Sequence, residues 1–384
     1  MRLDEPASAS SFRLRRPRLE RRVGAALAAA ATLALGAAPL SAAETIRQYQ
    51  FAPRDGGGYE LVLKEVPQPE AGPGEVLVRV RAASLNRRDV LMLNARYGPG
   101  GANAAGGIPL SDGAGEVIAV GPGVTRFEVG DRVAGIFFER WIRGDRSAES
   151  IASARGGNAG GMLSEVIVSS EDALVAIPEH LSFEEAATLP CAGVTAYVGL
   201  FKYGGLEPGD YVLLEGTGGV SLFGLQFAAA AGARPIITSS SDEKLERAKA
   251  LGAVGTANYR TNADWQREVR ALTGGRGVDH VLEVGGEDTL PKALEALAYD
   301  GHVALIGGLS GFASSIPVGQ LMGLGARVTG IYVGSREDFE AMNRFISGHR
   351  LRPVVDRVFE LEDAPAAFDL MQNGSYMGKI VIRL

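Results

Sequence analysis

The sequence predicts an α/β protein in which a β-rich, barrel-like first domain precedes a doubly wound parallel sheet. Three observations predict it. Residues 45–133 show short stretches of period-two alternation broken by glycine and proline. After Pro178, nearly continuous apolar runs alternate with segments of helical spacing, the pattern of parallel strands covered on both faces. A glycine-rich turn, Gly216-Thr217-Gly218-Gly219-Val220-Ser221, joins one such run to a helix. The 384 residues allow about two domains, and 52 Gly with 18 Pro stay below the composition of low-complexity disorder. A single Cys, Cys191, and four His exclude an intrachain disulfide framework and a four-thiolate zinc lobe.

Residues 1–43 read as a secretory signal peptide. Seven Arg against three acids precede an uncharged Ala/Leu-rich run, Val23–Leu40, and Ser41-Ala42-Ala43 offers the small residues of a cleavage site. A retained anchor or a start placed too far upstream are the other readings. Arg21-Arg22, directly before the run, suits twin-arginine export as well as an ordinary basic segment. If the leader is used, the protein is periplasmic or secreted, with no stable membrane span after cleavage; otherwise it is cytoplasmic. Residues 44–384 are more acidic than the −6 of the whole chain and show no basic patch, which argues against nucleic acid as a partner.

The elements follow in order. Tyr59–Lys64 and Glu75–Arg81 alternate as half-buried antiparallel strands around the turn Ala71-Gly72-Pro73-Gly74, and Gly113–Val120 and Gly130-Asp131-Arg132-Val133 continue the theme. Gly144–Gly161 lacks periodicity and reads as a long surface loop, either a lid over the substrate cleft or a mere insertion. Tyr211–Glu215, Pro235–Thr238, Val281–Val284 and His302–Ile306 read as strands, with helices at Leu222–Ala231 and Asp242–Leu251. Beyond Gly334, helices at Glu337–Ile346 and Ala364–Met371 and strands at Val354–Phe359 and Lys379–Arg383 form a tail that returns to the first domain.

The turn at 216–221 carries the chemistry of a dinucleotide site. Gly216 allows a tight turn, Gly218 lets the backbone approach a pyrophosphate, and the small Ser221 lets helix and strand pack closely; Thr217, Gly219 and Val220 complete the turn into the helix N-terminus. About twenty residues on, an NAD site carries an acid for the ribose hydroxyls. This chain has Thr238-Ser239-Ser240-Ser241. Ser239 and Ser241 leave room for a 2′-phosphate and Lys244 lies near to neutralise it, whereas Asp242 takes the acid's role if the strand ends later. NADP(H) is favoured over NAD(H).

With these residues the sequence resembles the medium-chain dehydrogenase/reductases, in their zinc-independent, quinone-oxidoreductase-like branch. The likeness covers nearly all of 45–384 and rests on Ala71-Gly72-Pro73-Gly74-Glu75-Val76, Gly113-Ala114-Gly115-Glu116-Val117, Gly130-Asp131-Arg132-Val133, Ala187-Thr188-Leu189-Pro190 and the glycine turn. It implies a GroES-like catalytic domain over 44–175, completed by 334–384, and a Rossmann domain over 176–333. Where the zinc alcohol dehydrogenases of this family place a metal-binding Cys, this chain has Asn86; where they place Gly-His-Glu, it has Leu110-Ser111-Asp112. Cys191 alone falls near a ligand position, and one thiol cannot hold a catalytic zinc. No metal site is expected, and Cys191 is expected as a small buried residue at a helix start.

Without a Lewis acid another group must polarise the carbonyl. The resemblance to enoyl-thioester reductases points to Tyr97 as proton donor, with Asn86 bonding the nicotinamide or the substrate oxygen. It also points to Tyr259, with Arg260 assisting, as a contact of the cofactor phosphate. The strand Arg327–Val333 resembles the edge through which relatives dimerise, so a homodimer is expected. Leu91, Met92, Tyr97, Phe137, Phe138 and Trp141 are expected to line an apolar substrate pocket. His180, His280, His302 and His349 receive no chemistry. The function expected is zinc-independent, NAD(P)H-dependent hydride transfer to a small carbonyl, quinone or enone. The alternatives are an alcohol dehydrogenase working oxidatively and a dinucleotide-binding protein without turnover.

Overall fold

The computed structural model describes residues 44–98, 105–374 and 376–384. The leader, 1–43, lies outside the described residues. The described residues form one compact unit built on two large sheets. Strands β1 (Thr45–Pro53) and β2 (Tyr59–Pro67) make a separate antiparallel ribbon. The first large sheet contains β3 (Glu75–Ser84), β4 (Asp112–Val120), β5 (Arg132–Gly135), β6 (Val166–Ser170) and β7 (Leu174–Ala176). Its close strand packing needs glycine: a side chain on Gly115 would stand 2.1 Å from the Arg79 carbonyl oxygen.

The second sheet is parallel. Its strands are β8 (Tyr211–Leu214), β9 (Arg234–Ser239), β10 (Gly255–Asn258), β11 (Val278–Glu283), β12 (Leu297–Leu305) and β13 (Arg327–Gly330), in the order β10-β9-β8-β11-β12-β13. The order reverses between β8 and β11, and in open α/β sheets ligands bind in the crevice beyond the strand ends at such a point. Val212, Leu213, Leu214, Ile236, Ile237, Val281 and Leu282 are fully buried, as the apolar runs require of strands covered on both faces.

The tail adds two strands. β14 (Val355–Glu360) pairs with β15 (Lys379–Arg383), and β15 lies antiparallel to β3 with Val381 opposite Ser84. The last strand of the chain therefore completes the first sheet and sets Lys379 beside the residues that follow β3.

Several expectations need correction. The expected strand at 327–333 stops at Gly330, because Val333 takes a left-handed backbone (φ 58°) that strands exclude. Cys191 is the third residue of a helical stretch over 189–204, whose opening turns are of π type, so it does stand at a helix start, but it is half-buried instead of enclosed. The loop Gly144–Gly161 is anchored by a helical turn, Ala148–Ile151, capped by Ser147, and by Arg155, which is 1% exposed and paired with Glu139 at 3.0 Å. Among the described residues, no helix is long and apolar enough to cross a membrane.

Candidate active site

The glycine turn lies at the crevice. Gly216 takes φ +72°, a region open to glycine, and its N–H donates to Thr238 Oγ1 at 3.1 Å. The helix Gly219–Ala230 that follows has no side-chain cap and no acid in its first turn. Its N-terminal N–H groups thus keep their donors for an anion. A side chain on Gly219 would stand 2.6 Å from Lys379 Cδ. Ser221 is buried, and its hydroxyl also donates to the Glu215 carbonyl at 2.6 Å and closes the loop. Close helix-to-sheet packing is provided one turn later by Gly224, where a side chain would stand 2.6 Å from Leu282 and 2.7 Å from Leu214. These residues fit a dinucleotide, whose pyrophosphate Gly216, Thr217, Gly218, Gly219, Val220 and Ser221 would hold.

At the end of β9 the strand stops at Ser239, three residues before Asp242. Asp242 instead opens the helix Asp242–Ala250 and accepts from Asn258 Nδ2 at 2.6 Å, so it does not take the place of the ribose-binding acid. Ser239 is buried and its Oγ accepts from the Ser241 N–H at 3.3 Å, while Ser241 Oγ accepts from the Lys244 N–H at 3.4 Å. Tyr259 is 44% exposed, and its N–H donates to the Ser239 carbonyl at 3.1 Å. The structure thus gathers Ser239, Ser241 and Tyr259. The Lys244 ammonium, however, donates to the Tyr376 carbonyl at 2.7 Å, a contact the sequence did not suggest.

Two buried carboxylates lie beneath the crevice. Glu215 follows β8 and Glu283 ends β11. Glu283 Oε1 accepts from the N–H groups of Gly285 (2.7 Å) and Gly286 (2.8 Å) and from the Thr289 hydroxyl (2.6 Å). Glu215 Oε1 and Glu283 Oε2 have no donor, and one proton held between the two carboxyls satisfies both. Burial first, and then the Glu283 charge, holds the Glu215 carboxyl well above the ordinary carboxylate range. Because the folded state binds this proton more tightly than the unfolded chain, the stability it brings is complete below the ordinary carboxylate range and is lost as pH rises through the folded-state value. Replacing Glu215 by Gln keeps the hydrogen bond and removes the titration. Glu215→Gln is expected to melt at least roughly 2 °C above wild type at pH 8, by about 1 kcal/mol, with the gap closing toward pH 4. Thermal melts across this range check it, and a gap that widens on acidification would refute the shared proton.

The positions at which the family resemblance placed zinc ligands do come together. Asn86 Nδ2 donates to Ser111 Oγ at 3.4 Å, Ser111 Oγ to Asp112 Oδ1 at 2.7 Å, and the Cys191 N–H to Asp112 Oδ2 at 3.2 Å. Into this group β15 delivers Lys379, which is 3% exposed. Its ammonium donates to the Leu85 carbonyl and to Asn86 Oδ1, both at 2.6 Å, and lies 3.7 Å from Asp112 Oδ2. Sequence reasoning missed Lys379; the signal was a cation opening the otherwise apolar final strand. The donor set does not fit zinc. Only Asp112 and Cys191 are of ligand type, short of the three that a catalytic zinc needs, an ammonium stands beside the carboxylate, and desolvation with the Asp112 charge pushes the Cys191 thiol up, against the thiolate that zinc needs. Among the described residues, no three His, Cys, Asp or Glu side chains group as metal ligands.

Beside this cluster opens a cleft of about 910 Å³, lined from the first sheet's side by Arg88, Leu91 and Tyr97, from the 144–161 loop, and from the far side by Phe312 and Tyr332. Leu91 and Tyr97 line it as expected. Met92, Phe137, Phe138 and Trp141 do not: at 4% exposure or less they form the packed wall behind it. Large rings whose neighbours are other rings, such as Phe138 edge-on to Tyr332 at 5.0 Å, bury more area in the core than in a pocket. The Tyr97 hydroxyl lies 3.1 Å from that of Tyr332. Burial holds the Tyr97 phenol above its ordinary value, so it stays protonated. Tyr332 lay in the expected edge strand and carried no sequence signal for this contact.

Fold and site define a dinucleotide-binding enzyme of paired GroES-like and Rossmann-like sheets. The alcohol dehydrogenase GroES-like domain model matches residues 72–179, and the zinc-binding dehydrogenase model matches residues 219–348. A zinc-type alcohol dehydrogenase-like protein of Schizosaccharomyces pombe is 44% identical over 327 residues, covering 83% of this chain and 93% of its own. A quinone oxidoreductase of Pseudomonas aeruginosa is 34% identical over 332 residues, covering 84% and 94%. A solved structure described as an alcohol dehydrogenase from Sinorhizobium meliloti 1021 is 42% identical with a TM-score of 0.82, covering 89% of this chain and all of that one. The chain belongs to the medium-chain dehydrogenase/reductase superfamily. It is an oxidoreductase of the alcohol dehydrogenase and quinone oxidoreductase kind.

Proposed function

We propose that the protein is an NADPH-dependent reductase of carbonyl, quinone or enone groups that works without zinc. The reading rests on one observation above the rest: the Lys379 ammonium occupies the space among Asn86, Asp112 and Cys191, so the electrophile must come from elsewhere in the cleft. Tyr97 is the residue that supplies it. Its phenol, neutral over the working pH range, donates a hydrogen bond to the substrate oxygen and gives up its proton as charge develops there. Tyr332, 3.1 Å away and 36% exposed, returns a proton from solvent. Asn86 bonds Lys379 through Oδ1 and Ser111 through Nδ2, which makes it a positioning residue for the cluster, and its second amide hydrogen serves the contact with nicotinamide or substrate oxygen expected from the sequence. A bound nicotinamide supplies or accepts the hydride. Selectivity for NADPH rests on Ser239, Ser241 and Tyr259 and on the absence of an acid at the end of β9. NADH is the second reading, favoured by the engagement of Lys244 with the Tyr376 carbonyl.

The test is oxidation of NADPH and NADH by the purified protein, with EDTA, against one quinone, one enone and one aldehyde. NADPH turnover that survives EDTA is expected, and activity that EDTA abolishes and zinc restores would overturn the reading. We also propose a homodimer. β13 is an edge of the parallel sheet, and Val318 (68% exposed) and Met322 (77%) lie on the helix just before it. Light scattering at micromolar concentration is expected to give twice the chain mass; a monomer there rules the pairing out.

A further inference from the structure

We infer that the cleft selects a substrate carrying a carboxylate close to its reacting group, a 2-oxo or 2-enoic acid, with Arg88 as the residue that binds the anion. The inference rests on the reductase reading only for the fate of that substrate, and not for its binding.

Three arginines, Arg88, Arg96 and Arg146, line the cleft, and among its described lining residues there is no Asp or Glu. This runs against a chain whose overall charge is −6. Glu139 is engaged with Arg155 at 3.0 Å and Glu149 with Arg140 at 3.6 Å; Asp89, next to Arg88 in the chain, feels its charge but turns one oxygen to the Asn86 N–H at 2.7 Å and makes no hydrogen bond to the guanidinium. Arg96 and Arg146 are exposed, and alone they would mark only a solvated rim. Arg88 differs. It is 7% exposed and its guanidinium lies between two rings, 5.1 Å from the centre of Tyr97 and 4.7 Å from that of Phe137. Nη1 donates to the Arg155 carbonyl at 2.7 Å, which fixes the plane of the group. Nε is buried without a partner, and Nη2 has no hydrogen bond to the described residues.

The edge left unused, Nε with Nη2, is the edge that takes a carboxylate side-on through two parallel N–H bonds. Gly157, which also lines the cleft, leaves space there: a side chain on it would stand 3.0 Å from Nη2. A buried cation stacked on aromatic rings and held by one carbonyl has lost most of its hydration, so an anion that restores the missing bonds gains more than it would in water. The guanidinium carbon lies 5.1 Å from the centre of the Tyr97 ring. An anion on Arg88 and an oxygen on Tyr97 are therefore spanned by one small molecule, such as a 2-oxo or 2-enoic acid, rather than by the two ends of a long one.

The experiment measures binding of phenylglyoxylate and of its methyl ester to the full chain with NADP⁺ present, so that no turnover is needed. Wild type is expected to bind the acid at least about 10-fold more tightly than the ester, the scale of one charge-assisted pair of hydrogen bonds. In Arg88→Gln the preference falls to about unity while ester affinity stays within about threefold. Equal binding of acid and ester by wild type overturns the inference, as does an Arg88→Gln variant that weakens both alike. If Arg88→Gln does not fold, Gly157→Ala replaces it: the added methyl crowds Nη2, and the acid preference is expected to fall at least about threefold, an unchanged preference counting against the site. Acid-selective binding with no turnover of any quinone, enone or aldehyde would sink the reductase reading and leave the anion site standing. Turnover of neutral quinones without acid selectivity would do the reverse.

Discussion

Tyr97→Phe is expected to lower kcat by about 100-fold or more while leaving the affinity for the dinucleotide within about twofold, because general acid catalysis contributes on the order of 10²–10⁴. The substitution removes one oxygen from a residue already half enclosed and stacked against Arg88, so packing is preserved. Tyr332→Phe is expected to act more weakly, since it interrupts only the resupply of the proton. Steady-state kinetics with cofactor binding measured separately distinguish the two effects. A Tyr97→Phe enzyme with unchanged kcat would show that the phenol lines the cleft without taking part in the chemistry.

Lys379→Met is expected to cost about 3 kcal/mol or more of folding stability, the usual result of removing one partner from a buried charged group. The ammonium bonds the Leu85 carbonyl and Asn86 Oδ1 and faces Asp112, which is fully buried. With Lys379 gone, the Asp112 carboxylate keeps only the Ser111 hydroxyl and the Cys191 N–H. The double variant Lys379→Met, Asp112→Asn should recover at least half of the loss, because no unpaired charge remains. Urea denaturation of wild type and both variants measures this. If the single variant is as stable as wild type, the ammonium does not hold this part of the first sheet together.

The architecture was legible wherever burial leaves a periodic trace. The final strand Lys379–Arg383 and the glycine turn followed from apolar runs and from the φ that Gly216 must adopt. β10 (Gly255–Asn258) escaped because a strand of Gly, Thr, Ala and Asn has no apolar period to read. The site was legible in part, for a physical reason. Residues that shape one local turn of backbone, such as 216–221, are neighbours in sequence, and their pattern is visible. Residues that meet through the tertiary fold are not: Lys379 is 293 positions from Asn86, and Tyr332 is 235 positions from Tyr97. The pocket prediction failed for a related reason, since hydrophobicity alone does not say whether Phe138 faces a cavity or another ring.

The return of β15 to the first sheet also bears on how the centre is assembled. Lys379 meets Asn86 across 293 positions of chain, and the segment between them contains the whole parallel sheet and the glycine turn. Closing a loop of that length costs entropy that only the folded structure in between can offset. A local defect in the parallel sheet is therefore felt at the buried ammonium, although the two share no strand.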